Sequence, residues 1–270
     1  MGLLCLLAIA SVATGQGQAV LLRYADEPGL SGGQLSWNGR AAPLVRRGDE
    51  WIGMVGVDLD TAAGERSVEI TFRYADGRTR TLRDAVAIAA VQYPTTELTV
   101  EERYVELSPE DQARAARDDE ETGRIYATVT PEIYWAEPFA SPIPGITSGR
   151  NFGHRRVFNG QPRAPHSGVD LRANTGTAIH AANRGRVVLA KDLFFSGNAV
   201  FIDHGLGVYS SYLHLSDIQV QVGDVVERGE VIGLAGATGR VTGPHLHWGA
   251  RVLNARVDPF SLVKLVESGN

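Results

Sequence analysis

The stretch GPHLHWGARV at residues 243–252 decides how the second half of the chain is read. Successive side chains of a strand point to opposite faces, so residues two apart share a face. His245 and His247 then project together, while Leu246 and Trp248 point into a core. Two further segments are built the same way. In HSGVD (166–170), His166 and Asp170 share a face, with Val169 and Leu171 opposite. In YLHLS (212–216), Tyr212 and His214 share a face, with Leu213 and Leu215 opposite. Each segment offers a polar face backed by an apolar one, and three such segments can converge on one wall of a β-sheet.

Working outward, the segments RGRVVLAKDLF (184–194), NAVFIDHG (198–205), VYSSYLHL (208–215) and DVVERGEVIGLAG (224–236) read as strands closed by glycine turns. Residues 140–262 are therefore expected to form a mostly antiparallel β domain, followed by a tail at 263–270. The first half has its own strand pattern. AVLLRY, WIGMVGVDL, SVEITFRY, RTRTLRDAVAI and ELTVEERYVEL recur at about ten-residue spacing between turn signals, which predicts a small β-sandwich over 20–106. Ser108-Pro109-Glu110 then opens a polar segment with an N-cap residue and a first-turn proline. A helical and proline-rich linker is expected over 107–139. The fold class expected is mainly β, two β domains joined by a short helix.

The first residues, GLLCLLAIASVA at 2–13, form an apolar run too short for a ~30 Å hydrocarbon core. A secretory leader over 1–19 is expected, with no membrane span in the mature chain. Its removal takes away Cys5, the one cysteine, as suits export to an oxidising compartment.

A single cysteine excludes a disulfide framework and any Cys-based zinc knuckle. The 26 basic residues are spread along the chain against 31 acidic ones, which gives no basic face for nucleic acid. The halves differ in charge: 13 Arg against 20 Asp+Glu over 1–130, a net of −7, and 13 Lys+Arg against 11 Asp+Glu over 131–270, a net of +2. They differ more in histidine. All seven lie between His154 and His247.

Imidazoles and a carboxylate are a ligand set suited to Zn²⁺, and three protein ligands leave the fourth tetrahedral position open, as a catalytic site requires. Hydrolysis also needs a base and a donor for the developing oxyanion. Four histidines and Asp170 exceed what one zinc needs, and the surplus two can fill those roles. His154, His180 and His204 lack such context and are read as structural.

The segments resemble the lysostaphin/LytM-type zinc metallopeptidases, which cut peptide bonds in bacterial cell-wall peptidoglycan. The resemblance covers roughly residues 140–262, through HSGVD, YLHLS, GPHLHW and the closing VDPF (257–260). It implies an antiparallel β-sheet with a groove for a peptide stem, and one zinc per chain held by His166, Asp170 and His247. It also implies His245 as base and His214 as the residue that orients water or stabilises the tetrahedral intermediate. Tyr212 is a candidate for the substrate groove. The segment YPTTELTVEERYVELSPEDQARAARDDEE (93–121) is similar to the linker of an exported Gram-negative subgroup with an N-terminal Ig-like β domain. This implies a periplasmic location, with the first domain a candidate contact for cell-division or wall-synthesis proteins. Some latent relatives insert an upstream asparagine into the zinc site, and no residue is nominated for that here. The competing reading is a non-catalytic relative that binds the wall and activates a separate amidase.

Overall fold

The computed structural model describes residues 12–149 and 151–265. The first half is two facing sheets. One has the strand order Val12–Gly15, Thr79–Ala89, Gly64–Tyr74, Leu30–Trp37, Arg40–Pro43, and the other Ala19–Ala25, Glu50–Gly56, Val45–Arg47. Alternation sets the inner face: Val68, Ile70, Phe72 and Tyr74 are buried along one strand while Arg73 is exposed.

Glu50–Gly56 departs from alternation, being buried from Trp51 through Gly56. Its outer side meets the second half of the chain. A Cβ on Gly56 would lie 2.6 Å from the Val252 carbonyl oxygen and 2.8 Å from the Ala255 Cβ, so glycine permits this approach. Arg256 donates Nε to Asp58 Oδ2 at 3.0 Å across the same seam. One apolar cluster runs through both halves, with Val55 and Val57 on one side and Val252 and Val257 on the other. The accessory half is thus packed against the strands that carry the histidines.

The amino-terminal residues take part in that seam. Val12–Gly15 pairs in parallel with Val86–Ala89. The Gly17 carbonyl accepts from Asp258 N at 2.7 Å, and Ala19 N donates to Ser261 Oγ at 3.0 Å. Cleavage at Ala19 would remove this strand and these contacts. Residues 1–11, including Cys5, lie outside the described residues.

Between the halves, Thr95–Leu98 joins Arg155–Phe158 in parallel, and Arg155–Phe158 pairs with Gln161–Arg163. The helix Pro109–Ala127 follows, its first turn capped by Ser108 Oγ accepting from Asp111 N at 3.1 Å. It lies on the second half: Asp118 Oδ2 accepts from Phe194 N at 2.7 Å, and Tyr126 stacks on Phe201 at 5.3 Å. No helix among the described residues is long and apolar enough to cross a membrane.

The second half is built on a sheet ordered Gly168–Arg172, His245–Val252, Val208–Ile218, Gly197–Gly205, Gly185–Leu193, Val225–Val226, with every neighbouring pair antiparallel. The helix Pro259–Lys264, capped by Asp258, closes it by setting Phe260 edge-on against Trp248 at 5.2 Å.

Candidate metal centre

Register brings the polar segments together. Asp170 lies opposite His247 and Val169 opposite Trp248, while Leu213 lies opposite His247 on the other side. Directly opposed residues of an antiparallel pair share a face, so Asp170, His247 and Leu213 form one row across three strands. Trp248 and Val169, both at 0% exposure, fill the core beneath. Gly168 opposes Gly249, and a Cβ on Gly168 would lie 2.7 Å from His247 Nε2 and 2.4 Å from the Trp248 carbonyl oxygen. The glycine of HSGVD therefore leaves room for the His247 ring.

His214 reaches the same face by a different route. Its φ is +67°, in the left-handed region that non-glycine residues seldom adopt. Its N–H is drawn out of the ladder to the Ser196 carbonyl, at 2.9 Å. This break in the alternation puts Leu213 and His214, rather than Tyr212 and His214, on the cavity wall. Tyr212 is corrected accordingly: it is fully buried, and its hydroxyl accepts from Ala182 N at 2.8 Å and pairs with Ser210 Oγ. It supports the sheet from the core side and does not line the groove.

The donor atoms are close-set. His166 Nε2 and His247 Nδ1 each lie 3.0 Å from Asp170 Oδ1, and 2.8 Å from one another. Two ring nitrogens at that separation satisfy both lone pairs only through a shared proton or a cation between them. Tetrahedral zinc with bonds of about 2.0–2.1 Å has ligand–ligand edges of about 3.3 Å. The triangle fits after an opening of a few tenths of an ångström.

Backbone carbonyls fix the orientation of the rings. His166 donates Nδ1–H to Asn151 O at 2.9 Å, His214 to Thr238 O at 2.9 Å, and His245 to Gly243 O at 2.8 Å. A carbonyl only accepts, so each of these rings keeps its Nε2 as a free lone pair. The His245 Nε2 is 3.6 Å from Asp170 Oδ1, and its ring is 5.0 Å from that of His214. His245 and His214 thus sit beside the ligand triangle with base-competent nitrogens.

Asp170 is divided between two tasks. Its Oδ2 accepts from Asn151 Nδ2 at 2.8 Å and from Arg156 Nη2 at 3.0 Å, which leaves Oδ1 to the histidines. Asn151 also accepts the Asp170 N–H on its Oδ1 at 2.9 Å. Burial alone would raise the Asp170 pKa, but the close imidazoles of His166 and His247 outweigh it and hold the carboxyl well below the usual range. Burial pushes His166 down to about 4 despite Asp170, and pushes His214 down to about 3 with help from His247 and His245. Both rings are therefore neutral, as ligands or proton acceptors must be.

Asn151 and Arg156 were not anticipated from the sequence. They stand 19 and 14 positions before Asp170, on an irregular segment and a short strand for which no spacing rule applies. Asn151 supports the carboxylate from outside the triangle. The other three histidines lie away from it. His154 Nδ1 pairs with Thr96 Oγ1, His180 Nδ1 with the Gly229 carbonyl, and His204 is fully buried between the Arg184 carbonyl and Ser210 Oγ.

Comparison with known proteins places the chain among relatives. The sequence profile described as Peptidase family M23 matches residues 164–259. Peptidoglycan DD-endopeptidase ShyA of Vibrio cholerae is 46% identical over 99 residues, 36% of this chain and 23% of that protein. DD-carboxypeptidase/endopeptidase Mpg of Neisseria meningitidis is 43% identical over 97 residues, 36% of this chain and 22% of that protein. The matched stretches thus span about a quarter of the length of these curated relatives. A solved structure of a putative peptidase M23 from Pseudomonas aeruginosa aligns over 96% of this chain and 97% of its own, at 32% identity and a TM-score of 0.71. With that likeness running through the accessory half as well as the metal centre, the chain belongs to peptidase family M23.

Proposed function

We propose that this protein is a zinc-dependent endopeptidase that hydrolyses the peptide cross-links of bacterial peptidoglycan, with one zinc held by His166 Nε2, Asp170 Oδ1 and His247 Nδ1. The observation that carries it is the ligand triangle with two further imidazoles, His245 and His214, beside it on the same wall. When bound, the ion supplies Lewis acidity, acidifying a water and polarising the scissile carbonyl. The rest is the work of the chain. His245 takes the proton of the attacking water at Nε2, since its Nδ1 is already committed to Gly243. His214, held by Thr238, offers its ring to the water or to the developing oxyanion. Asn151 and Arg156 keep Asp170 ionised and correctly turned.

A binding-only role would not need base-competent rings beside a complete ligand set, and this favours the enzymatic reading over an amidase activator. The matched relatives named as DD-endopeptidases support cross-link cleavage as the reaction. A periplasmic site of action, after removal of a leader, is part of the same proposal. The test is mass spectrometry of muropeptides after incubating cross-linked sacculi with the purified protein, with and without added zinc. The expected result is zinc-dependent loss of cross-linked dimers and gain of monomers. Unchanged dimers in the zinc-loaded sample would overturn it.

A further inference from the structure

A cavity of about 580 Å³ opens over the metal ligands, with His166, His214 and His247 in its lining and Arg156, Arg163 and Arg240 on its wall. The three arginines are not equivalent. Arg156 is paired with Asp170. Arg163 donates Nη2 only to neutral acceptors, the Val105 carbonyl at 3.1 Å and Gln161 Oε1 at 2.7 Å. Arg240 has no hydrogen-bond acceptor for its guanidinium among the described residues. It is held instead by two aromatic rings, 4.7 Å from the Phe158 centroid and 4.3 Å from that of Phe195. Stacking of this kind uses the face of the planar group and leaves its N–H donors free.

Two cations without a carboxylate beside a metal centre cost free energy that the fold does not recover by itself. Burial, with Arg156 and Arg163 nearby, pulls Arg240 down to about 10, a sign of undercompensated charge. The carboxylate across the cavity does not relieve it. Asp119, on the helix Pro109–Ala127, has its pKa raised by burial and by Asp118, the opposite of what an arginine partner would do. The anion that fits has to come from outside the chain, and a guanidinium fork matches a carboxylate in geometry as well as charge.

We propose that Arg240, with Arg163 beside it, binds a free carboxylate of the peptide being cut and is a specificity determinant of this site. The proposal rests on the peptidase reading for the identity of the peptide. In a cross-linked stem the carboxylate has two sources, the free carboxylate of the diamino acid and the carboxyl terminus of the chain. A subsite of this kind makes amidation of the wall peptide a means of resistance to the enzyme. It also explains why the cavity wall is cationic in a protein whose net charge is −5.

The test uses the full chain and three synthetic cross-linked dimers: one with both carboxylates free, one amidated at the diamino acid, and one amidated at the chain terminus. For the wild type, kcat/KM should fall about tenfold to hundredfold for the one amide that removes the contacted carboxylate, as expected for one charge-assisted pair. Arg240→Gln should bring that ratio close to one, Arg240→Lys should retain part of it, and Arg163→Gln should give a smaller drop. A wild type that cuts all three dimers equally, or an Arg240→Gln protein that keeps the full preference, overturns the proposal. So does an equal loss on all three dimers. Calorimetric titration of the same peptides into His245→Ala, alone and combined with Arg240→Gln, reads the subsite without turnover. If the wild type cuts no dimer, the peptidase reading falls. The carboxylate preference in binding still decides the subsite, and equal binding of acid and amide there overturns it.

Discussion

The two halves of this chain are both β-sheet, but they treat their polar side chains differently. In the first half, charged groups pair with one another at the surface, as in Arg23 with Glu50 and Arg83 with Glu69. Such pairs contribute little, about 0–1 kcal/mol each, and they leave nothing unsatisfied. In the second half, polar groups are gathered on one wall. Four imidazoles and Asp170 meet there, and Arg163 and Arg240 stand without carboxylate partners among the described residues. The same architecture yields a surface where charged groups are paired with one another, and a site where polar groups are held buried, oriented and incompletely satisfied.

The sharpest way to break this contrast is to remove a ligand. His166→Ala or His247→Ala should abolish metal binding and reduce hydrolysis by at least about a thousandfold, read by elemental analysis and dimer cleavage. Retained metal in either variant would dissolve the triangle. Gly168→Ala comes next, because its Cβ would press on His247 Nε2 and the Trp248 carbonyl oxygen. It should lower thermal stability by about 1–3 kcal/mol and weaken metal binding, whereas alanine at the exposed Gly39 turn meets no neighbouring atom and strains only its own backbone. Asn151→Ala leaves the ligands in place but frees the Asp170 carboxylate to turn. Metal affinity should fall about 10–100-fold, measured by chelator competition, with full affinity being the contrary result.

The smallest expected effect concerns acid. A histidine in the unfolded chain takes its proton near pH 6.5, while burial holds His204 unprotonated until about pH 4. Between those values the unfolded state binds more protons, so stability falls as pH drops from about 6.5 to about 4. The histidine-free first half adds no imidazole to this limb. In metal-free protein His204→Gln should flatten it by on the order of 2 kcal/mol, measured by urea unfolding across that range. His166 and His214 supply the rest of the slope, and an unchanged slope would show that His204 is not among its sources.

Much of this was legible in the sequence, and the exceptions have physical causes. Strict period two placed Asp170 and His247 on a face over Val169 and Trp248, and the register puts them in one row. The same rule failed at Tyr212 because His214 takes a left-handed backbone, a property that no side-chain pattern encodes. Asn151 was invisible because it acts from an irregular segment through tertiary proximity. Arg240 sits in the loop before GPHLHW, and only the placement of Phe158 and Phe195 reveals that its charge is unpaired.

The central claim is that the histidines of one wall divide into metal ligands and proton carriers. It is tested most directly by the zinc content and dimer turnover of His245→Ala, measured on the same preparation. The account predicts about one zinc per chain, as in the wild type, with turnover reduced by about 10²–10⁴-fold. A folded His245→Ala protein that has lost its zinc, or that still cuts at the wild-type rate, would contradict it.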